Sequence, residues 1–155
     1  MVTLDVPNSE ATTHWGRRLG TALFPNAIVA LIGPLGAGKT CLVRAIAEGL
    51  GVLDPRIVTS PTFGLIHEYP ARWPIFHFDV YRLPGPSAFL DLGPEEYFQA
   101  GGVCLIEWAD KIESLLPADR LRVRIEITGT SSRRLHVKAT GPRHESLVEE
   151  LGRPI

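Results

Sequence analysis

An α/β fold, with a mixed central sheet, antiparallel hairpin strands and flanking helices, is predicted by three features of this chain. An apolar run, Ala27 to Ile32, passes through a glycine-rich turn into a helical segment; a second, Val103 to Ile106, lies far downstream. Between and after them, Ile75 to Tyr81, Leu121 to Ile127 and Leu135 to Ala139 alternate apolar with polar residues. Fully apolar strands beside a β-loop-α unit belong to a sheet covered on both faces, whereas alternation marks half-exposed antiparallel strands.

The elements follow in order. Val2 to Val6 alternates as a strand, and Ser9 with Glu10 reads as the cap of a helix running to about Leu23. Pro25-Asn26 breaks the chain before the first apolar strand, and Thr40 to Leu50 is the helix after the glycine turn. Asp54-Pro55-Arg56 is a turn, and the Ser60-Pro61 step makes Ile57 to Thr62 a loop. Phe63 to Tyr69 and Ile75 to Tyr81 form an antiparallel pair around Pro70 to Pro74, and short helical turns fill Pro84 to Gly102. Ala109 to Leu116 is a short helix closed by Pro117, and His144 to Leu151 a terminal one.

At 155 residues, 45% hydrophobic and 21% charged, the chain is expected to be one globular domain. A net charge of -1 argues against a strongly basic nucleic-acid binder, so any RNA is expected to be engaged through a partner. Cys41 and Cys104 sit in apolar surroundings and read as small buried hydrophobes in a reducing compartment. The first residues have no signal-peptide pattern and no apolar run approaches a membrane span, so a cytoplasmic location without membrane attachment is expected.

Gly33-Pro34-Leu35-Gly36-Ala37-Gly38-Lys39-Thr40 fits the phosphate-loop template, and its strand-loop-helix setting is the one the template needs. Glycines let successive N–H groups converge on polyphosphate oxygens, and the helix start adds roughly half a positive charge. A lysine at that end opposes the dipole unless an anion is present. The expected fold is therefore that of a P-loop NTPase, with Gly33, Leu35, Gly36, Ala37, Gly38, Lys39, Thr40 and Cys41 around the nucleotide. Magnesium takes oxygen ligands and borrows one or two from protein. Thr40 supplies the first, and Glu107, at the end of Val103 to Ile106, the second in a Walker B pattern.

Other positions leave two readings. Trp108 alternates away from Glu107, which favours core packing over a place beside the nucleotide. Asp79, flanked by His77 and Tyr81 on one strand face, either acts in the site or pairs with Arg82. His77 alone reads as a satisfied structural histidine. Thr59-Ser60-Pro61-Thr62 stands where a γ-phosphate switch would, with Ser60 and Thr62 as its hydroxyls, yet it also suits an ordinary turn.

In this order and spacing, GPLGAGKT, TSPTF, HFDVYR and LIEW resemble the TsaE family, formerly called YjeE, of bacterial P-loop ATPases. The resemblance runs from about Ser9 to Val137 and implies an ATPase required to form threonylcarbamoyladenosine in tRNA, with partners similar to TsaD and TsaB. It implies Lys39 and Thr40 as phosphate and magnesium ligands, Glu107 as the Walker B acid, Ser60 to Phe63 as the switch and Asp79 as essential. Thr12 and Arg133 align with positions that border the adenine or ribose. Pro84-Gly85-Pro86 departs from the family pattern.

Lys39, Asp79 and Glu107 are thus the expected catalytic residues, with ATP and magnesium as cofactors. With no arginine finger assignable, slow hydrolysis by the isolated chain is expected, accelerated by partners. One rival is a small-molecule kinase, suggested by the Asp79 to Arg82 spacing, although Arg120, Arg122 and Arg124 look like solvent-facing strand residues rather than a lid. The other is a nucleotide-switched assembly factor with incidental hydrolysis. A GTPase is disfavoured, because Asn8 and Asn26 are the only asparagines and no N-K-x-D motif occurs.

Overall fold

A computed structural model describes residues 1–61 and 66–152. The described residues form strands β1 (Val2–Val6), β2 (Ile28–Ile32), β3 (Ile66–Tyr69), β4 (Ile75–Asp79), β5 (Val103–Glu107), β6 (Leu121–Ile127) and β7 (Arg133–Ala139). The helices are α1 (Ser9–Ala22), α2 (Lys39–Gly49), α3 (Pro86–Leu90), α4 (Pro94–Phe98) and α5 (Pro142–Leu151). Thr62 and Phe63, part of the expected switch, lie outside the described residues.

The strands make one sheet in the order β1-β7-β6-β2-β5-β4-β3. Its centre is parallel, with β2 between β5 and β6 and β4 beside β5; β3–β4, β6–β7 and β1–β7 are antiparallel. This is the mixed sheet with hairpin strands that the pattern of apolar runs and alternating segments predicts. The fully buried β2 sends Val29 and Leu31 to one core and Ile28, Ala30 and Ile32 to the other. Helices α1, α2 and α5 contribute Leu19, Leu42, Ile46 and Leu147 to the first core, while Phe89 and Phe98 of α3 and α4 join the second. Among the described residues no helix is long and apolar enough to cross a membrane.

Helices α1 and α2 approach very closely. A Cβ on Gly20 would stand 2.1 Å from the Ile46 carbonyl oxygen, and one on Gly49 2.2 Å from that of Arg17. This crossing fixes α2, and hence the loop that precedes it, against the sheet.

Several local expectations change. Asn8, not Ser9, caps α1: its backbone is extended and its side-chain oxygen accepts from the Ala11 N–H at 2.9 Å. Helix α2 starts at Lys39 rather than Thr40, and Ala109–Leu115 is 3-10 helix kinked at Ile112. Strand β4 stops at Asp79 because that carboxylate captures the Tyr81 N–H at 3.0 Å, a side-chain turn that ends the ladder. Arg120 precedes β6, and both it and Arg122 pair with Glu113; only Arg124 of that trio faces solvent. Cys41 is exposed rather than buried, since the α2 residues directed at the core are Leu42, Val43, Ala45 and Ile46. Cys104 is buried as expected, and burial pushes its thiol up to about 12.

Candidate functional site

The carboxyl ends of β2, β4 and β5 meet one edge of the sheet, where an open α/β sheet offers its ligand crevice. Ile32 leads directly into the glycine-rich loop. Gly36 and Gly38 take φ of 81° and 100°, left-handed values that residues with a Cβ avoid, and Gly38 then opens α2. Such a turn brings backbone N–H groups and a helix N-terminus to one concavity, a ready site for anions.

A cavity of about 530 Å³ occupies this edge, lined by Gly36, Gly38, Lys39, Thr40, Cys41, Ser60, Asp79, Glu107 and Trp108 among others. Register explains the convergence of the acids, because Asp79 pairs with Glu107 across β4 and β5. Leu31 of β2 is the partner of Glu107 on the other side, so the carboxylate stands beside the strand that feeds the loop. Thr40 Oγ1 donates to both Glu107 oxygens at 3.0 Å. Ser60 Oγ donates to Asp79 Oδ2 at 2.6 Å, so Asp79 engages the Ser60 segment and its own turn instead of Arg82.

Lys39 is 5% exposed, and its ammonium donates to the carbonyls of Gly33 at 2.6 Å and Pro34 at 2.9 Å. It also lies 3.8 Å from the centre of the Trp108 ring, and the Tyr81 ring stacks on Trp108 at 4.7 Å. Burial pushes the ammonium below its ordinary range, more strongly than the fields of Glu107, Asp110 and Asp79 raise it. A polyanion entering the cavity would relieve that cost by supplying close negative charge.

Trp108 corrects the expectation of core packing. Its φ of 61° is left-handed, so β-alternation ends at Glu107 and the indole swings over Lys39 while its flank still touches the second core. Strand periodicity ends with Glu107, the last residue of β5.

A second cavity, about 410 Å³, lies on the other side of the loop and shares Gly36, Gly38 and Cys41 with the first. It brings together Thr12 of α1, Ala37, Arg44, Ser131 and Arg133. The Arg133 guanidinium donates to Ala37 O at 3.1 Å and Gly36 O at 3.4 Å, bracing the glycine turn from outside. Gly33 borders neither cavity; its carbonyl receives Lys39, and a Cβ there would come within 3.0 Å of Ile125 O. Leu35 stands at the tip of the loop, 78% exposed.

Two contributors, Arg44 and Tyr69, have no signature in the sequence, and a third, His77, shows there only its strand face. Arg44 lines the second cavity and donates to Val58 O at 3.0 Å, tying α2 to the segment before Ser60. His77 and Tyr69, both buried, reach Glu107 from behind: His77 Nε2 is 2.6 Å from Glu107 Oε2 and its Nδ1 is 2.9 Å from the Tyr69 hydroxyl. Alternation places His77 on the correct face of β4, but only the register with β3 and β5 gives it these neighbours.

Residues 6–135 match the family model described as threonylcarbamoyl adenosine biosynthesis protein TsaE. The chain is 48% identical over 147 residues to the tRNA threonylcarbamoyladenosine biosynthesis protein TsaE of Bacillus subtilis, covering 94% of this chain and 90% of that one. It is 37% identical over 130 residues to the protein of the same name from Treponema pallidum, covering 84% and 95%. Among solved structures, that of Bacillus subtilis YdiB superposes with a TM-score of 0.81 at 38% identity, over 98% of this chain and 94% of the other. With matches spanning the glycine-rich loop, both acids and the sheet that joins them, the chain belongs to the TsaE family.

Proposed function

We propose that this protein binds ATP with magnesium and hydrolyses it to ADP and phosphate, slowly alone and faster with TsaB-like and TsaD-like partners, in forming threonylcarbamoyladenosine on tRNA. The observation that carries this reading is the meeting of Thr40 and Glu107 at 3.0 Å beside Lys39 and the glycine turn. The donor set fits magnesium, which is hard, prefers oxygen, and completes its octahedron with water and phosphate oxygens. Held by Thr40 and Glu107, magnesium would supply neutralisation of phosphate charge.

The chain's own residues then have distinct tasks. The backbone N–H groups of the loop and the start of α2 hold the β- and γ-phosphates, and the Lys39 ammonium exchanges the Gly33 and Pro34 carbonyls for phosphate oxygens. Asp79, at the lip of the same cavity, orients the attacking water, while Ser60 marks the segment that responds to the γ-phosphate. Thr12 and Arg133 in the second cavity border the base or ribose. Phosphoryl transfer relies on positioning and charge neutralisation, and an arginine supplied in trans is a common accelerator. Slow turnover by the isolated chain fits a site built from one lysine and two acids.

Reconstitution of the tRNA modification with TsaB-like and TsaD-like proteins, with and without this chain, tests the assignment. Modification is expected to require the chain and ATP, and independence from either would overturn the reading. Phosphate release without an added acceptor separates an ATPase from a small-molecule kinase. A variant that binds ATP without turnover, yet supports full modification, would favour the assembly-factor alternative.

A further inference from the structure

A column of polar groups runs under the site, from the Thr59 carbonyl to the Thr40 hydroxyl. The Tyr69 hydroxyl is 3.2 Å from Thr59 O and 2.9 Å from His77 Nδ1. His77 Nε2 is 2.6 Å from Glu107 Oε2, and Thr40 Oγ1 meets both Glu107 oxygens at 3.0 Å. His77 is 0% and Glu107 2% exposed, so water has almost no access to the middle of the column.

Resting on the magnesium–ATP reading, we propose that His77 is a positioning residue that sets the rotation of the Glu107 carboxylate for the metal, and that Tyr69 links this setting to the Thr59–Ser60 segment. A carboxylate has about four acceptor sites on two oxygens. His77 occupies Oε2 from behind while Thr40 meets both oxygens, so Oε1 is the oxygen that keeps the freer acceptor site for the metal. Partners behind a metal ligand commonly orient it in this way. The ring is itself held from its far nitrogen, which prevents the imidazole from pivoting about its link to Glu107.

The Tyr69 hydroxyl is the junction. It carries one proton to share among Thr59 O, His77 Nδ1 and, at 3.3 Å, His67 Nδ1, and so donates to only one of them at a time. Displacement of Thr59 therefore changes what Tyr69 offers His77. The adjacent Ser60 donates to Asp79 at 2.6 Å. One short segment thus engages both acids of the cavity, Asp79 directly and Glu107 through two buried rings.

The test compares His77→Asn, His77→Gln and Tyr69→Phe for affinity toward a fluorescent, non-hydrolysable ATP analogue, in EDTA and in magnesium, with thermal unfolding as the check on folding. Glutamine places an N–H near the position of Nε2, whereas asparagine reaches only that of Nδ1. His77→Asn is expected to lose about tenfold or more of the magnesium enhancement, the usual range for losing such a partner, while its EDTA affinity stays within about twofold. His77→Gln is expected to recover most of the enhancement, and Tyr69→Phe to lose roughly threefold of it.

Equal losses in EDTA and magnesium, or glutamine no better than asparagine, would make His77 merely structural and overturn the proposal. Should His77→Asn fail to fold, Tyr69→Phe decides, since an unchanged enhancement in that variant refutes the column. A wild-type chain that binds no nucleotide, or binds it without help from magnesium, overturns the proposed function instead.

Discussion

The Thr40 hydroxyl stands 3.0 Å from both carboxylate oxygens of Glu107 although 67 residues separate them in the chain. The contact exists because β2 and β5 are parallel neighbours, which brings the start of α2 and the last residue of β5 to the same end of the sheet. Its disruption has a definite consequence. Glu107→Gln keeps the shape and removes the charge, so phosphate release is expected to fall about 100-fold or more, as loss of several kcal/mol of charge stabilisation requires. Steady-state phosphate assays check this, and activity within about threefold of wild type would contradict the metal-ligand role proposed for Glu107.

At Lys39, affinity and stability are expected to move in opposite directions. A buried ammonium costs desolvation energy, and among the described residues no carboxylate pairs with it directly, while charge-assisted bonds to phosphate contribute about 1.5–3 kcal/mol each. Lys39→Met is therefore expected to weaken ATP binding by about tenfold or more while leaving the thermal midpoint unchanged or higher. Calorimetric titration and thermal unfolding on the same samples measure both; unchanged ATP affinity would contradict the role given to the lysine.

Acid is expected to destabilise the fold through His144. The Ile28 backbone N–H can only donate, so His144 Nε2 accepts at 3.1 Å and the ring proton sits on Nδ1, facing Asp119 at 2.7 Å. Burial holds this imidazole below its usual range, against the opposing pull of Asp119. The unfolded chain thus binds a proton before the folded one, so the stabilisation is complete above the ordinary value of 6.5 and declines as pH falls from there toward the depressed folded value. Urea midpoints at pH 7.5 and 5.5 should differ in wild type and differ less in His144→Ala. That variant is expected to lose about 1–3 kcal/mol at pH 7.5, since the Ile28 N–H is left without an acceptor.

The crossing of α1 and α2 tolerates no side chain at Gly20. Gly20→Ala would place a methyl 2.1 Å from a backbone oxygen, so the helices must separate, at a cost of about 3 kcal/mol or more. In a chain of this length each kcal/mol lowers the thermal midpoint by about 2–4 °C, which predicts a fall of roughly 6–12 °C. A midpoint within about 2 °C of wild type would mean that the helix pair can slide freely.

Local pattern is enough to predict the strands, the glycine turn and the acid that closes β5, because each depends on residues adjacent in the chain. Apolar runs identify β2 and β5, alternation identifies β4 and β6, and glycines at Gly36 and Gly38 permit the left-handed turn that the phosphate-loop template describes. The same pattern selects the polar face of β4 that carries His77 and Asp79. It does not say what that face meets. The order β6-β2-β5-β4-β3 set Thr40 against Glu107, Asp79 beside Glu107, and Tyr69 behind His77.

Where expectation failed, nonlocal geometry or a single backbone angle was responsible. Trp108 left the strand alternation through its left-handed φ, Cys41 proved exposed because packing chose the opposite face of α2, and Asn8 captured the cap that Ser9 was expected to provide. Sequence by itself determined the glycine turn and the acid that ends β5, since those depend on residue chemistry and short-range turns. Tertiary structure decided which of them share a cavity and what holds them there, since strand register and helix crossing join residues whose separation along the chain carries no record of their contact.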